Sequence, residues 1–241
     1  MLLYMSRLSV SEAAQRLGVN APRVRQRIAD GSLPAERVGS QWVIDELALV
    51  QVADQKSSGR PLSARSAWAL IALSDGDASA DGVSPAERVR ARRRWAELGL
   101  IAASALDSED ERKQVAAVLR KLFRNRAERR LYRAAASDLP GLRSDGRLQL
   151  GGLSRDSGLA SGDIVEAYVH DDVLNSVVDD YLLSPAASGG NVVLHVVPAG
   201  REIYPESLLM LAADLVEHRG PREEKRALEL VRQAHHGEVA R

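Results

Sequence analysis

The feature that most constrains this chain is the run Leu8-Ser-Val-Ser-Glu-Ala-Ala-Gln-Arg-Leu-Gly-Val-Asn-Ala-Pro-Arg-Val-Arg-Gln-Arg-Ile28, which holds two helix starts and one helix stop. Ser9 with Glu12 three positions later is a capping box, in which each side chain satisfies a backbone N–H of the other. Gly18 ends the first helix by reaching the left-handed conformation that other residues avoid. Asn20 then opens a second helix by accepting from its first turn. Ala13, Ala14 and Leu17 form one packing face, and the alanines allow close helix–helix approach. Val19 plugs the gap, and Val24 and Ile28, four apart, face the first helix. The outcome is a helix-turn-helix whose second helix turns Arg23, Gln26 and Arg27 outward, with Arg25 nearer the flank.

The next residues extend this unit. Asp30-Gly-Ser-Leu-Pro34 reads as a turn into a strand, Ala35-Glu-Arg-Val38. Gly39-Ser40 suits a two-residue hairpin turn, and Gln41-Trp-Val-Ile44 returns as the second strand. Val38, Trp42 and Ile44 are placed to cover the helix pair. Arg37, Ser40 and Gln41 fall at the tip of this β-wing. Such side chains suit double-stranded DNA. Arg makes two hydrogen bonds to a guanine edge and Gln two to adenine, while further arginines pair with phosphates and set register. A recognition helix delivers the base contacts from its N-terminal part in the major groove.

The pattern from Leu8 to Ile44 resembles the excisionase/MerR-type winged helix-turn-helix: a first helix beginning S-x-x-E-A-A, a Gly-Val turn, an Arg-rich second helix, G-x-L-P, and a hairpin with V-G-x-x-W-x-I. The resemblance implies that Arg23, Arg25 and Arg27 contact DNA from the recognition helix. It also implies that Arg37 and the Gly39-Ser40 turn belong to the wing. That wing tip often carries a basic residue where this chain has Ser40.

The 241 residues leave room for more than this unit. The expected class is mainly α with small β elements: the winged helix-turn-helix over 1–52, a linker over 53–62, a basic helical middle region over 63–147, and an acidic α+β domain over 148–241. Ser84-Pro85-Ala86-Glu87 is a second capping box with Pro at the first helical position. It predicts a helix that stops at Gly99. A longer helix is predicted from Ser108 to Ala135. Strands are predicted at Arg147–Leu150, Ile164–Val169 and Asn191–Val197, the last almost wholly apolar and so central in its sheet. Helices are predicted over Asp171–Leu183, over Pro205–His218, and from Gly220-Pro221 to about His235.

Net charge is zero, but it is unevenly distributed. Residues 1–147 carry 25 Lys and Arg against 18 Asp and Glu, and residues 148–241 carry 8 against 15. Two basic runs lie in the middle region, Arg88–Arg94 and Arg112–Arg133. Each suits an extended DNA footprint, a solvated face, or pairing with the acidic C-terminal part. The absence of cysteine excludes disulfides and thiolate metal sites and fits a reducing cytoplasm. No apolar run has the length to span a bilayer, and no signal peptide is evident at the start.

The portion after Ser63 resembles the C-terminal region of AbiE-type antitoxins. The residues concerned are Ala64-Arg-Ser-Ala-Trp-Ala-Leu70, Arg120 to Arg133, Arg147-Leu-Gln-Leu-Gly-Gly-Leu153, Glu166-Ala-Tyr-Val169, Val192-Val-Leu-His-Val-Val197, Ala213-Asp-Leu-Val-Glu-His218 and Pro221-Arg222. Antitoxins of this type bind DNA, repress their own operon and partner a nucleotidyltransferase toxin. That resemblance implies a cognate toxin as partner.

No catalytic residue, cofactor site or metal site is expected. The chain has no phosphate-cradling Gly loop, no H-E-x-x-H and no G-x-S-x-G. His170, Asp171, Asp172, Asp179 and Asp180 are ligand types, but on one helix they reach no second ligand segment and read as exposed helix acids. His195, among valines, reads as a core or edge residue, and His235-His236 as a frayed terminus. Gly151-Gly152 and Gly189-Gly190 read as ordinary turns. The expected function is a DNA-binding regulator, with homodimerisation and partner binding in the rest of the chain. The alternative is an excisionase-like architectural protein that bends DNA without a toxin partner.

Overall fold

The computed structural model describes residues 7–17, 19–29, 33, 35–39, 41–45, 61–76, 83–105, 108–156, 159, 162–186 and 189–239. The chain divides into two compact units, Met1–Arg60 and Pro61–Arg241. The linker expected over 53–62 lies outside the described residues except for Pro61 and Leu62, and Leu62 is buried in the second unit.

The first unit pairs helices α1 (Val10–Leu17) and α2 (Ala21–Ala29) with strands β1 (Arg7–Ser9), β2 (Ala35–Val38) and β3 (Gln41–Asp45). The capping box forms as read: Ser9 N–H donates to Glu12 Oε2 (2.8 Å) and Glu12 N–H to Ser9 Oγ (3.3 Å). Asn20 Oδ1 accepts from Arg23 N–H at the start of α2. Leu8, Ala13, Ala14, Val24, Leu33 and Ile44 make the core, with Val10, Val19 and Ile28 packed against it. The expected hairpin gains a third strand. Arg7–Ser9 pairs with β3, so the order is β1-β3-β2 with Leu8 opposite Ile44 and Val38 opposite Gln41. Val38 does not cover the helices; it stands exposed beside the turn. The strand alternates, so with Ala35 turned to the core, Val38 takes the opposite face.

The second unit is built on a five-stranded mixed sheet. Its strands are β4 (Glu128–Arg133), β5 (Gln149–Leu150), β6 (Val165–His170), β7 (Ser184–Pro185) and β8 (Val192–Val197), in the order β5-β6-β8-β4-β7. Only β6 and β8 run parallel. Helices cover both faces. On one side are α3 (Ala64–Ser74), α4 (Pro85–Ser104), α5 (Glu109–Phe123), α9 (Leu208–Leu215) and α10 (Pro221–Val239), packed through Trp68, Trp95, Leu119, Phe123, Leu209 and Leu228. On the other, α6 (Leu139–Ser144) and α8 (Asp171–Asp180) bring Leu139, Leu142, Leu174 and Val177 against Val165, Ala167, Leu194 and Val196. A short helix, α7 (Gly152–Arg155), follows β5. Burial on both faces is why β8 reads as a nearly unbroken apolar run.

Several expectations are corrected in this unit. The long helix stops at Phe123 instead of Ala135, and Glu128–Arg133 becomes β4, paired with β8 from Glu128 opposite Val196 to Tyr132 opposite Val192. That pairing joins the middle region to the acidic region, so residues 63–147 and 148–241 share one core instead of folding separately. The helix opened by Ser84 runs through Gly99 to Ser104. Gly99 is a close-approach residue: a Cβ there would meet the His235 ring at 2.7 Å. His235 is stacked on Trp95 at 3.5 Å between centroids, so it is not a frayed terminus.

A buried polar network lies on the helical side of the sheet. Arg126, 2% exposed, donates to Asp214 Oδ1 (2.8 Å), Tyr168 Oη (2.8 Å) and Glu217 Oε1 (2.5 Å). Glu166, fully buried, accepts from His195 Nε2 (2.9 Å) and His218 Nε2 (2.7 Å). Gly152 sits at φ +44°, where its N–H donates to Asp214 and the next N–H, of Leu153, donates to Glu166. A Cβ on Gly152 would land on the Glu166 carboxylate. Gly151-Gly152 is thus no ordinary turn but the point where backbone approaches two buried acids, whose desolvation is offset only by such bonds.

Candidate nucleic-acid interface

The candidate interface is built on α2. With Val24 fully buried and Ile28 half-buried, the 100° step of an α-helix turns Arg23, Arg25 and Gln26 outward, and all three are exposed. Arg27 falls on the flank and is half-buried. Arg25 and Arg27 therefore exchange the places expected of them. Arg23 Nη1 donates to Gln26 Oε1 at 2.7 Å, so two predicted contact residues form one exposed group.

The wing presents a second cluster. Gly39 takes φ +61°, the left-handed conformation a tight hairpin needs. Arg37 is exposed and its guanidinium lies 5.8 Å from the centre of the Trp42 ring on the paired strand. That cation–π contact holds the charge at the wing while leaving its face open to solvent. Gln41 is exposed beside the turn, and Ser40 lies outside the described residues. Trp42 is a positioning residue the sequence reading had placed only in the core. Its signal was its position directly across the ladder from Arg37.

Residues 7–57 match the model of the helix-turn-helix domain family. This part of the chain is a helix-turn-helix DNA-binding domain. Among curated proteins and solved structures, nothing matches the chain. The helix-turn-helix domain supplies the features that DNA recognition requires: a short cationic helix, fixed by caps at its start and by a packed partner helix, and a β-wing with its own cation.

The other basic residues divide into two groups. Arg120 pairs with Glu224, Arg126 with Asp214 and Glu217, and Arg129 with Glu217. Three cations of the run Arg112–Arg133 are thus internal counterparts of the acidic C-terminal region, while Lys113 and Arg130 pair with Glu109 and Glu128 nearby. On α4, by contrast, Arg90, Arg92 and Arg93 are exposed, the last bonded to Glu97 one turn on. Two of the acids on α8 have partners: Asp180 pairs with Arg147, and Asp171 accepts from Ala199 N–H. His170 Nε2 lies 2.8 Å from the Arg201 carbonyl. Among the described residues no His, Asp and Glu cluster is arranged to hold a metal, and no helix is long and apolar enough to cross a membrane.

Proposed function

We propose that this chain is a sequence-specific transcriptional regulator acting in the cytoplasm, and that it represses its own operon as the antitoxin of a nucleotidyltransferase-type toxin. The observation that carries the regulator reading is the exposed Arg23, Arg25 and Gln26 cluster on α2 of a helix-turn-helix domain. The antitoxin part is supported by the resemblance of the second unit to AbiE-type antitoxins and by that unit's size, which far exceeds what DNA binding needs. On this reading the chain is a binding protein and not an enzyme. Arg23 meets a base edge, while Arg25 and Arg37 meet phosphates and set the helix in the groove.

Protection of the DNA upstream of its own gene from nuclease cleavage tests the regulator reading. The expected result is a footprint that is lost with Arg23→Ala and weakens steeply with salt, because each neutralised phosphate releases a counterion. Co-purification with the product of the adjacent gene tests the antitoxin part, and a footprint without a protein partner would remove that part alone. Strong bending of the bound DNA would favour the architectural alternative.

A further inference from the structure

Among the described residues, five large apolar side chains are exposed, and three of them, Val89 (65%), Leu100 (72%) and Ile101, lie on α4. The inner face of this helix is accounted for: Ala91, Trp95, Leu98 and Ala102 are buried in the core. Val89, Ala96, Leu100 and Ala103 lie together on the outer side, at spacings of seven, four and three that keep one side of a helix in line. All four are exposed. An amphipathic surface helix shows charge on that side, so α4 carries a second apolar stripe that no described residue covers.

The charges along α4 indicate what would cover it. Its N-terminal half bears Arg90, Arg92 and Arg93, all exposed, on either side of the stripe. Its C-terminal half bears Glu97, and the carbonyls of Ala102 and Ala105 at its end already accept from Arg232. Only a short connection separates it from Glu109 and Asp110, exposed in the first turn of α5. The helix is therefore basic at one end, acidic at the other and apolar between, which makes it complementary to itself when reversed.

We propose that two copies of this chain associate through α4, paired antiparallel along the stripe Val89, Ala96, Leu100 and Ala103. A two-fold axis near Ala96 sets the small alanines face to face at the crossing and Val89 of each copy against Ala103 of the other. The alkyl stems of Arg92 and Arg93 then cover Leu100 of the opposite copy while their guanidinium groups reach its acidic end. Such an interface is isologous, as a closed dimer requires. One helix face is small beside a standard interface of about 1,600 Å², so the association is concentration-dependent. It rests on α4 alone and stands apart from DNA binding. If the first unit binds an operator as proposed above, a pair carries two recognition helices.

The chain has no cysteine, so single introduced thiols report the geometry directly. Under mild oxidation Ala96→Cys is expected to give a disulfide-linked dimer. Val89→Cys alone is expected to give none, but a mixture of Val89→Cys and Ala103→Cys copies is expected to cross-link. Sedimentation of the full chain is expected to show a dimer at high concentration, reduced to single copies by Leu100→Glu with an unchanged unfolding temperature. A wild-type chain with the mass of one copy at every concentration overturns the proposal, whatever else binds this face. So does a Leu100→Glu chain that still pairs, or Val89→Cys cross-linking as readily as Ala96→Cys.

Discussion

Arg23 and Gln26 are joined on the exposed side of α2 by a hydrogen bond from Nη1 to Oε1. The bond uses the oxygen that Gln26 would need to accept from adenine N6, because a bidentate Gln–adenine pair takes both ends of the amide. Gln26 therefore holds Arg23 in place, and Arg23 keeps donors for a guanine edge. Arg23→Ala is expected to lower operator affinity by about 1–3 kcal/mol. Gln26→Ala should cost less and change no adenine preference. A double-mutant cycle on binding, read by fluorescence anisotropy, should give a sizeable coupling between the two. Additive losses, or a lost adenine preference, would make Gln26 an independent reader.

Arg25 has the signature of a phosphate contact. Replacing it with Ala should weaken binding about uniformly across DNA sequences and reduce the slope of log affinity against log salt by about one. The check is a salt titration of wild type and variant on operator and unrelated DNA. A selective loss at one base position would instead assign Arg25 to base reading.

The Glu166 carboxylate, held between His195 and His218, gives the second unit a pH optimum. Burial alone would raise the Glu166 pKa, but the hydrogen bonds from the two histidines outweigh it and hold the group below its usual range. Burial alone would lower His218, and the bond to Glu166 outweighs that and holds it above the ordinary 6.5. A depressed carboxylate contributes stability that is present above the ordinary 4.5 and lost as pH falls through the folded value. A raised histidine contributes stability that is present below 6.5 and lost as pH rises through the folded value. Thermal unfolding should therefore peak in mildly acidic solution. His218→Gln should flatten the fall on the alkaline side, and an unaltered profile would count against the pairing.

Arg126 is a structural cation. Its removal leaves Asp214 and Glu217 facing each other across a buried site without their counter-charge. Arg126→Ala is expected to destabilise the unit by about 3–5 kcal/mol, the scale for breaking a buried ion pair. Urea denaturation measures it. DNA binding by the first unit should persist under conditions where the second is unfolded.

Two glycines with positive φ separate strain from crowding. Gly39, at φ +61°, has open space where a Cβ would go, so Gly39→Ala carries only the left-handed backbone cost of about 1–2 kcal/mol. Gly152, at φ +44°, adds a collision with Glu166. Gly152→Ala should therefore destabilise its unit by clearly more than Gly39→Ala does the first. Differential scanning calorimetry compares the two, and equal losses would refute the crowding argument.

The first unit was legible residue by residue because its instructions are local. Ser9 with Glu12, and Asn20 with Arg23, satisfy helix ends within three positions, and the spacing of Val24 and Ile28 turns Arg23 and Gln26 outward, while the choice between Arg25 and Arg27 depended on Val24 being the deeper of the two. Even there, the partner of Arg37 and the third strand depended on contacts across the sheet. In the second unit, caps such as Ser84 and the apolar run at Val192–Val197 could be read directly. The rest depended on partners far along the chain. Residues 128–133 continue a helical pattern well enough to be mistaken for one, and they become a strand because β8, more than sixty residues later, offers its hydrogen bonds. Charge counts likewise showed a basic and an acidic half. The fold converts part of that asymmetry into Arg120, Arg126 and Arg129 against Asp214, Glu217 and Glu224, because burying either set alone would leave unpaired charge in a medium that does not solvate it.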